Sequence, residues 1–160
     1  NDIPNTISSA MKSLKSLKVT YLTVHISSGL NALKALKKES KNIKIAGVTT
    51  LTSLNDKDLK EIGYNKKINE LVKYQAKLAK KANLDAIICS GHEIKSVRSI
   101  FNKEIITPGI KIKNLKDDQK RVMHPNDAFA AGSDWLVIGR SITKGNVKKN
   151  IQNLLKVLED

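Results

Sequence analysis

The sequence predicts an α/β fold in which the strands of a parallel β-sheet alternate with amphipathic helices. Five short runs rich in Val, Ile and Leu recur along the 160 residues. Each run is almost continuously apolar, as is typical of a parallel strand that is buried on both faces. Strands joined through helices form right-handed βαβ units in one sheet. The predicted strands are KVTYLTVH (18–25), NIKIAGVTTL (42–51), LDAIICS (84–90), EIITPGI (104–110) and DWLVIGRS (134–141).

Helical patterns separate these runs and also follow the last one. They are predicted at about 5–17, 28–40, 66–82, 92–101 and 118–131. A further helix covers the C-terminal tail, where apolar residues from Val147 to Leu158 share one face, and we expect that face to pack onto the sheet. Since no Gly- or Ser-rich linker interrupts the pattern, residues 1–160 are expected to form a single domain with no internal boundary.

Two parallel architectures compete for this pattern. A doubly wound sheet usually carries a Gly-rich phosphate loop after its first strand, and VHISSG is not such a loop. A (β/α)8 TIM barrel holds phosphate in the loops after its last two strands, and here those strands end in TPGIK and IGRSITKG. A closed barrel typically needs about 250 residues. We therefore predict an N-terminally truncated (β/α)8 barrel, with about the last five strands and their helices.

Composition limits the partners. A formal net charge of +14 favours anionic ligands, but aromatic residues make up only 4% of the chain and no nucleic-acid-binding motif is present, so nucleic acid is disfavoured. The single Cys89 allows no internal disulfide and fits a reducing cytoplasm. No apolar stretch reaches the roughly 18 residues of a membrane span, so a soluble protein is expected. The three His residues show no metal-ligand spacing, and no metal is predicted.

The segment VIGRSITKG carries the strongest chemical signal. Gly139 lets the backbone approach a ligand closely, and Arg140 offers a planar pair of donors that matches phosphate oxygens. TPGIKIKNLKDDQKRV adds a polar loop that contains Gln119 and several cations. A tight turn with a surface Arg is the alternative for the first segment alone. Together the two segments favour a phosphate site.

Five segments occur in the order and approximate spacing of one known family. They are DIPNT, VHISSG, VTTLTS, TPGIK and DDQKRVMHPNDAFAAGSDWLVIGRSITKGN. Over essentially its whole length the chain resembles the bacterial orotidine 5′-phosphate decarboxylases. The 3-keto-gulonate 6-phosphate decarboxylases and hexulose-phosphate synthases share the plan, but the LTS and TPGI…DQ elements look more like the orotidylate branch.

The resemblance implies a phosphate end of the site. Arg140 and Gln119 would hold the 5′-phosphate, helped by the backbone of Gly139. Lys111 stands where the family commonly has Arg. Since Lys keeps the charge but loses the planar pair of donors, weaker phosphate binding is expected.

The same resemblance implies a base end. Thr52 would meet the pyrimidine ring, with Ser53 as the neighbouring alternative. Pro108 and Gly109 would line the base and phosphate end.

The opening DIPNT matches the tail of the family's catalytic signature, Asp-x-Lys-x-x-Asp-Ile-Pro-x-Thr. Asp2 matches its final Asp and Thr6 its Thr, whereas the signature Lys and first Asp would fall before residue 1. In the family dimer this Asp and Thr reach into the neighbouring subunit's site, so a homodimer is expected.

The reaction implied by the resemblance converts orotidine 5′-monophosphate to uridine 5′-monophosphate and CO2 in de novo pyrimidine biosynthesis. It uses no cofactor or metal, and the signature Lys protonates the carbanion-like centre that CO2 leaves behind. Because residues 1–160 lack that Lys, two alternatives stay open. One is an inactive remnant that binds phosphate or a partner. The other is a related sugar-phosphate decarboxylase.

Overall fold

The structure, a computed structural model, describes residues 2–14, 16–112 and 121–159. These residues contain a five-stranded sheet in which every pair of neighbouring strands is parallel and spatial order follows chain order. The strands are β1 (Tyr21–His25), β2 (Lys44–Val48), β3 (Ala86–Ile88), β4 (Glu104–Thr107) and β5 (Trp135–Leu136). The predicted α/β class is confirmed. Because all strands are parallel, their C-terminal ends meet at one edge, which we call the C-terminal edge.

Helices connect the strands. They are α1 (Pro4–Leu14), α2 (Leu30–Glu39), α3 (Asp56–Glu61), α4 (Ile68–Lys81), α5 (Ile94–Arg98), α6 (Pro125–Ala130), α7 (Arg140–Thr143) and α8 (Val147–Glu159). Short 3-10 turns cover Ile26–Ser28 and Gly91–Glu93. The sequence reading missed α3, which begins with a capping box: the Asn55 side chain accepts from the Asp58 backbone, and the Asp58 side chain accepts from Asn55. In the described part of the chain, no helix is long and apolar enough to cross a membrane.

The core lies where the centre of the sheet meets α2, α4 and α5. Ile45, Ile87 and Ile105, on three neighbouring strands, are fully buried. Gly47 is required at the centre, because a Cβ there would lie 2.8 Å from side-chain carbons of Ile26 and Leu84. Close packing of this kind fixes the ends of β2, β3 and β4 relative to one another.

The predicted helix at 118–131 is wrong over residues 121–124. Lys111 donates its backbone amide to Met123 O at 3.1 Å, and Met123 donates to Gly109 O at 3.1 Å. Met123 therefore pairs in parallel with Ile110, in the segment that follows β4, and is not helical. The helix, α6, begins only at Pro125. The residue before a proline avoids the helical region, and proline suits a first helical position. Residues 118–120 lie outside the described residues.

The prediction that the C-terminal helix buries its apolar face is also wrong. α8 forms over the expected residues, but none of them is buried. Leu154 and Val157 are half-buried, and four large apolar side chains remain 39 to 53% exposed (Val147, Ile151, Leu155 and Leu158). Trp135, the first residue of β5, is likewise 57% exposed. Both features have one cause. β5 is the last strand of the described sheet and pairs only with β4, so no described strand extends the surface on which these side chains could pack.

Candidate functional site at the C-terminal edge of the sheet

The segment after β2 is held in place by the neighbouring strand. Thr49 donates its backbone amide and its hydroxyl to the carbonyl of Ile88, at 3.0 and 2.9 Å. The hydroxyl of Thr50 lies 3.3 Å from Oε1 of Gln75, and both side chains are buried. Thr52 follows directly and is half-buried. The hydroxyl predicted to meet a base is therefore presented from an anchored segment.

Gly109, just after β4, lies beside Thr52. Its φ of +75° favours glycine, and a Cβ added there would lie 3.5 Å from Thr52 Cγ2 and 2.8 Å from the carbonyl oxygen of Arg121. Its neighbour Pro108 is half-buried. The structure thus brings together two of the residues that the sequence assigned to the base end.

An ion pair that the sequence reading did not single out ties this region together. Arg121 Nη1 donates to Glu93 Oε1 at 2.7 Å, and the two side chains are only 11% and 6% exposed. Arg121 Nη2 donates to the carbonyls of Thr50 at 3.0 Å and Leu51 at 2.9 Å. The available signals were weak: Glu93 comes soon after a predicted strand, and Arg121 closes a run of charges that resembles a solvated loop.

Burial sets the protonation behaviour of two groups at this edge. It raises the pKa of Glu93, although the positive charge of Arg121 opposes the shift. It also raises the pKa of Cys89 to about 12. Cys89, 1% exposed, is therefore a neutral thiol that packs as a small buried apolar residue.

The last strand leads into the predicted phosphate motif. A Cβ added to Gly139 would meet nothing within 4 Å, so the backbone there is open to close approach. Arg140 begins α7 and lines a cleft of about 510 Å³. The other lining residues are Ile112, Ser141, Lys144, Asn150, Asn153, Lys156 and Val157. Among the described residues that line this cleft, three are cations and none is a carboxylate, which makes it favourable for an anion.

The remaining predicted residues have mixed positions. Lys111 is 9% exposed and lies one residue before Ile112 of the cleft. Asp2 and Thr6 are exposed at the start of α1, where the Asp2 carboxylate accepts from the Ile3 backbone at 2.9 Å. Ser53 is half-buried next to Thr52. Gln119 lies outside the described residues, and its role stays a prediction.

Neither the histidines nor the carboxylates assemble a metal site in the described ranges. His25 and His92 are exposed, and His124 precedes α6. Among residues 2–14, 16–112 and 121–159, no group of three or more His, Cys, Asp or Glu side chains could hold a metal ion.

Comparison with known proteins agrees with this geometry. The family model described as "Orotidine 5'-phosphate decarboxylase / HUMPS family" matches residues 1–152. The chain belongs to this family. Among curated relatives, the orotidine 5′-phosphate decarboxylase of Ehrlichia canis is 42% identical over 147 residues, which are 89% of this chain and 64% of the relative. The protein of the same name from Wolbachia pipientis subsp. Culex pipiens is 42% identical over 164 residues, 99% of this chain and 73% of the relative.

Solved structures give the architecture. The orotidine 5′-phosphate decarboxylase of Lactobacillus acidophilus superposes with a TM-score of 0.84 at 30% identity, covering 100% of this chain and 72% of that chain. The enzyme of Methanocaldococcus jannaschii, solved with the inhibitor BMP, has a TM-score of 0.74 at 21% identity, a likeness of fold alone. The family match and these superpositions confirm that the sheet is five consecutive strands of a (β/α)8 barrel. The chain spans about two thirds of the length of its relatives, 64% for Ehrlichia canis.

Proposed function

We propose that this chain supplies the substrate-binding face of an orotidine 5′-phosphate decarboxylase, which converts orotidine 5′-monophosphate to uridine 5′-monophosphate and CO2 without a cofactor. One observation carries the proposal. In a chain of this family, Thr52 and Gly109 lie side by side and the Gly139–Arg140 turn leads into a cationic cleft, all at the C-terminal edge of one sheet. Active sites of (β/α)8 barrels lie at that edge.

Each group has a part in binding the nucleotide. The Thr52 hydroxyl can donate to and accept from a pyrimidine ring, while Gly109, which has no side chain, lets Thr52 lie close to it and to the carbonyl of Arg121. Arg140 and the open backbone of Gly139 bind the phosphate in this proposal, helped by the charge of Lys111. Phosphate lies far from the reacting carbon, so its binding energy serves to orient the base.

The chemical step depends on the family's catalytic signature, of which this chain contains only the last part. The signature Lys that protonates C6 belongs, by the family resemblance, before residue 1. Asp2 and Thr6 are exposed, as residues that act in a neighbouring subunit's site must be. A homodimer is accordingly part of the proposal, and so is a cytoplasmic location.

The test measures binding and turnover separately on the 160-residue chain. Uridine 5′-monophosphate is titrated by calorimetry at fixed salt, with inorganic phosphate and ribose 5-phosphate as competitors, and loss of orotidine 5′-monophosphate is followed by ultraviolet absorbance. Preference for the nucleotide over both competitors supports the proposed site. Equal affinity for ribose 5-phosphate indicates a sugar-phosphate site, and no nucleotide binding at millimolar concentration contradicts the proposal.

Turnover has a defined expectation of its own. Residues 1–160 are expected to bind without measurable decarboxylation, and adding the preceding family segment, with its signature Lys, is expected to restore turnover. Efficient turnover by the 160 residues alone would refute the assignment of the proton donor to that segment.

A further inference from the structure

We propose that Arg121, held by Glu93, is a positioning residue that fixes Thr52 beside Gly109 for base recognition. The inference rests on the proposed function and extends it, because it assigns a role to two residues that contact neither end of the nucleotide in that proposal.

The first step is the contact between Arg121 and the segment after β2. Nη2 of Arg121 donates to the carbonyl oxygens of Thr50 and Leu51, at 3.0 and 2.9 Å. These are the two residues immediately before Thr52. The directions of successive carbonyl groups determine the course of the backbone. By holding two of them, the guanidinium fixes the position of the Thr52 backbone.

The second step is the anchorage of Arg121 itself. Glu93, in the turn after β3, accepts from Nη1 at 2.7 Å. The backbone following Arg121 is bonded to the extension of β4, and the carbonyl oxygen of Arg121 lies next to Gly109. One residue therefore links the C-terminal ends of three neighbouring strands, and it contacts the segments on both sides of the proposed base position.

The third step concerns what this pair contributes. Buried ion pairs add little net stability, because desolvation offsets their attraction. Here Nε of Arg121 and Oε2 of Glu93 are buried with no hydrogen-bond partner among the described residues, which increases that cost. What the pair provides is geometry: a planar guanidinium reaches one carboxylate and two carbonyls at once, which a Lys ammonium on a flexible stem does not do.

The N-terminal edge of the sheet offers a matched control. Arg98 also donates to two carbonyls, of Lys103 and Gly132, and to one carboxylate, of Asp134, each at 2.6 Å. Replacing either arginine by lysine removes the same set of contacts at opposite ends of the strands. Only Arg121 adjoins Thr52.

The experiment compares Arg121→Lys, the double variant Arg121→Met/Glu93→Leu and Arg98→Lys. The double variant removes both buried charges together, so no unpaired charge is left to unfold the protein. Calorimetry measures uridine 5′-monophosphate affinity, and hydrogen exchange measures the amides of residues 50–54. We expect both Arg121 variants to bind about 10-fold or more weakly, as misplaced binding groups do, with faster exchange at 50–54. Arg98→Lys should leave both quantities within about twofold of the wild type.

Two results overturn the inference: wild-type affinity in the folded double variant, or equal loss of affinity in Arg98→Lys. Failure of the proposed function is distinguishable, because the wild-type chain then binds no nucleotide. Hydrogen exchange decides in that case. Faster exchange at 50–54 in Arg121→Lys than in Arg98→Lys upholds the positioning role, and equal exchange refutes it.

Discussion

The two ends of the strands use charge in opposite ways. At the N-terminal ends, Asp85 and Asp134 each precede a strand and accept a backbone amide from the neighbouring strand, Ile45 at 2.8 Å and Ile105 at 2.7 Å. Each carboxylate also pairs with a cation: Asp85 with Lys37 at 2.5 Å, and Asp134 with Arg98 at 2.6 Å. Tyr21 and Lys44 both contact Glu104 in a third cluster. Charges at this edge thus satisfy one another.

At the C-terminal ends, by contrast, the turn after β5 leads into a cleft lined by cations. Gly139 leaves its backbone open for close approach, and Arg140, Lys144 and Lys156 line the cleft. The buried Arg121–Glu93 pair also lies at this edge, and Arg121 contacts the backbone carbonyls of the two residues before Thr52. The comparison teaches that the charges of one edge pair within the fold, whereas the proposed ligand site lies at the other edge, where (β/α)8 barrels generally have their active sites.

The largest expected effect is a loss of nucleotide affinity when a cation of the C-terminal edge is removed. Arg140→Ala should weaken uridine 5′-monophosphate binding by about 10- to 100-fold, because a charge-assisted hydrogen bond contributes about 1.5–3 kcal/mol. Thermal unfolding should stay close to that of the wild type. Lys148→Ala, an exposed cation of α8 that does not line the cleft, is the control and should change little. Equal losses of nucleotide affinity in the two variants would show that binding depends on general positive charge and not on the cleft.

The reverse experiment removes a carboxylate from the N-terminal edge. Asp134→Ala leaves the amide of the buried Ile105 without its acceptor and Arg98 without its partner, so the free energy of unfolding should fall by about 1–3 kcal/mol. Urea denaturation measures the loss. Asp134→Asn keeps an acceptor oxygen and should lose less, and nucleotide affinity should be unchanged in both variants. Weaker nucleotide binding without a loss of stability would contradict the assignment of the N-terminal edge to stability.

Opposite pKa shifts give the two edges opposite pH dependence. Burial raises the pKa of Glu93 above its ordinary value of 4.5 despite Arg121. Burial acts in the same direction on Glu104, but hydrogen bonds from Lys44 and Tyr21 outweigh it and lower the pKa of Glu104. Glu93 therefore stabilises the fold fully below pH 4.5 and loses that contribution as pH rises through its folded pKa. Glu104 stabilises the fold above pH 4.5 and loses that contribution as pH falls through its folded pKa.

Urea denaturation of Glu93→Gln and Glu104→Gln across acid to neutral pH measures these contributions. The stability advantage of the wild type over Glu93→Gln should shrink as pH rises, and its advantage over Glu104→Gln should shrink as pH falls. Parallel profiles for the two variants would contradict the assignment of opposite environments.

The smallest expected effect is a gain. Lys111→Arg should tighten uridine 5′-monophosphate binding by a few-fold, about 1 kcal/mol or less, because a guanidinium can bind phosphate through two parallel hydrogen bonds. Lys111→Met serves as the opposite control and should weaken binding. If the Arg variant binds no better than the wild type, Lys111 is not directed at the phosphate.

The sequence predicted the parallel sheet and its strand order well, since buried parallel strands leave continuous apolar runs such as that around Ile87. It failed where tertiary contacts decide the outcome. The extended course before Pro125 comes from pairing with β4, and the exposed face of α8 reflects the position of β5 at the end of the described sheet. Neither effect is local.

The candidate site divides in the same manner. Arg140 was recognisable because a Gly-Arg phosphate motif has a local signature, and Gly109 was assigned by the family resemblance of TPGIK. Arg121 and Glu93 were not, because their importance arises from a contact across 28 positions of sequence between two polar loops. A charge in a polar loop resembles a solvated residue until the fold buries it.

The most direct test of the contrast between the edges is amide-resolved NMR of the 160-residue chain during titration with uridine 5′-monophosphate. We predict saturable shifts at residues 49–53, 108–111 and 138–141, with the amides of Asp85, Ile105 and Asp134 unmoved. Shifts concentrated at those N-terminal amides, or none at the C-terminal edge at saturating nucleotide, would contradict the assignment of the C-terminal edge as the ligand site.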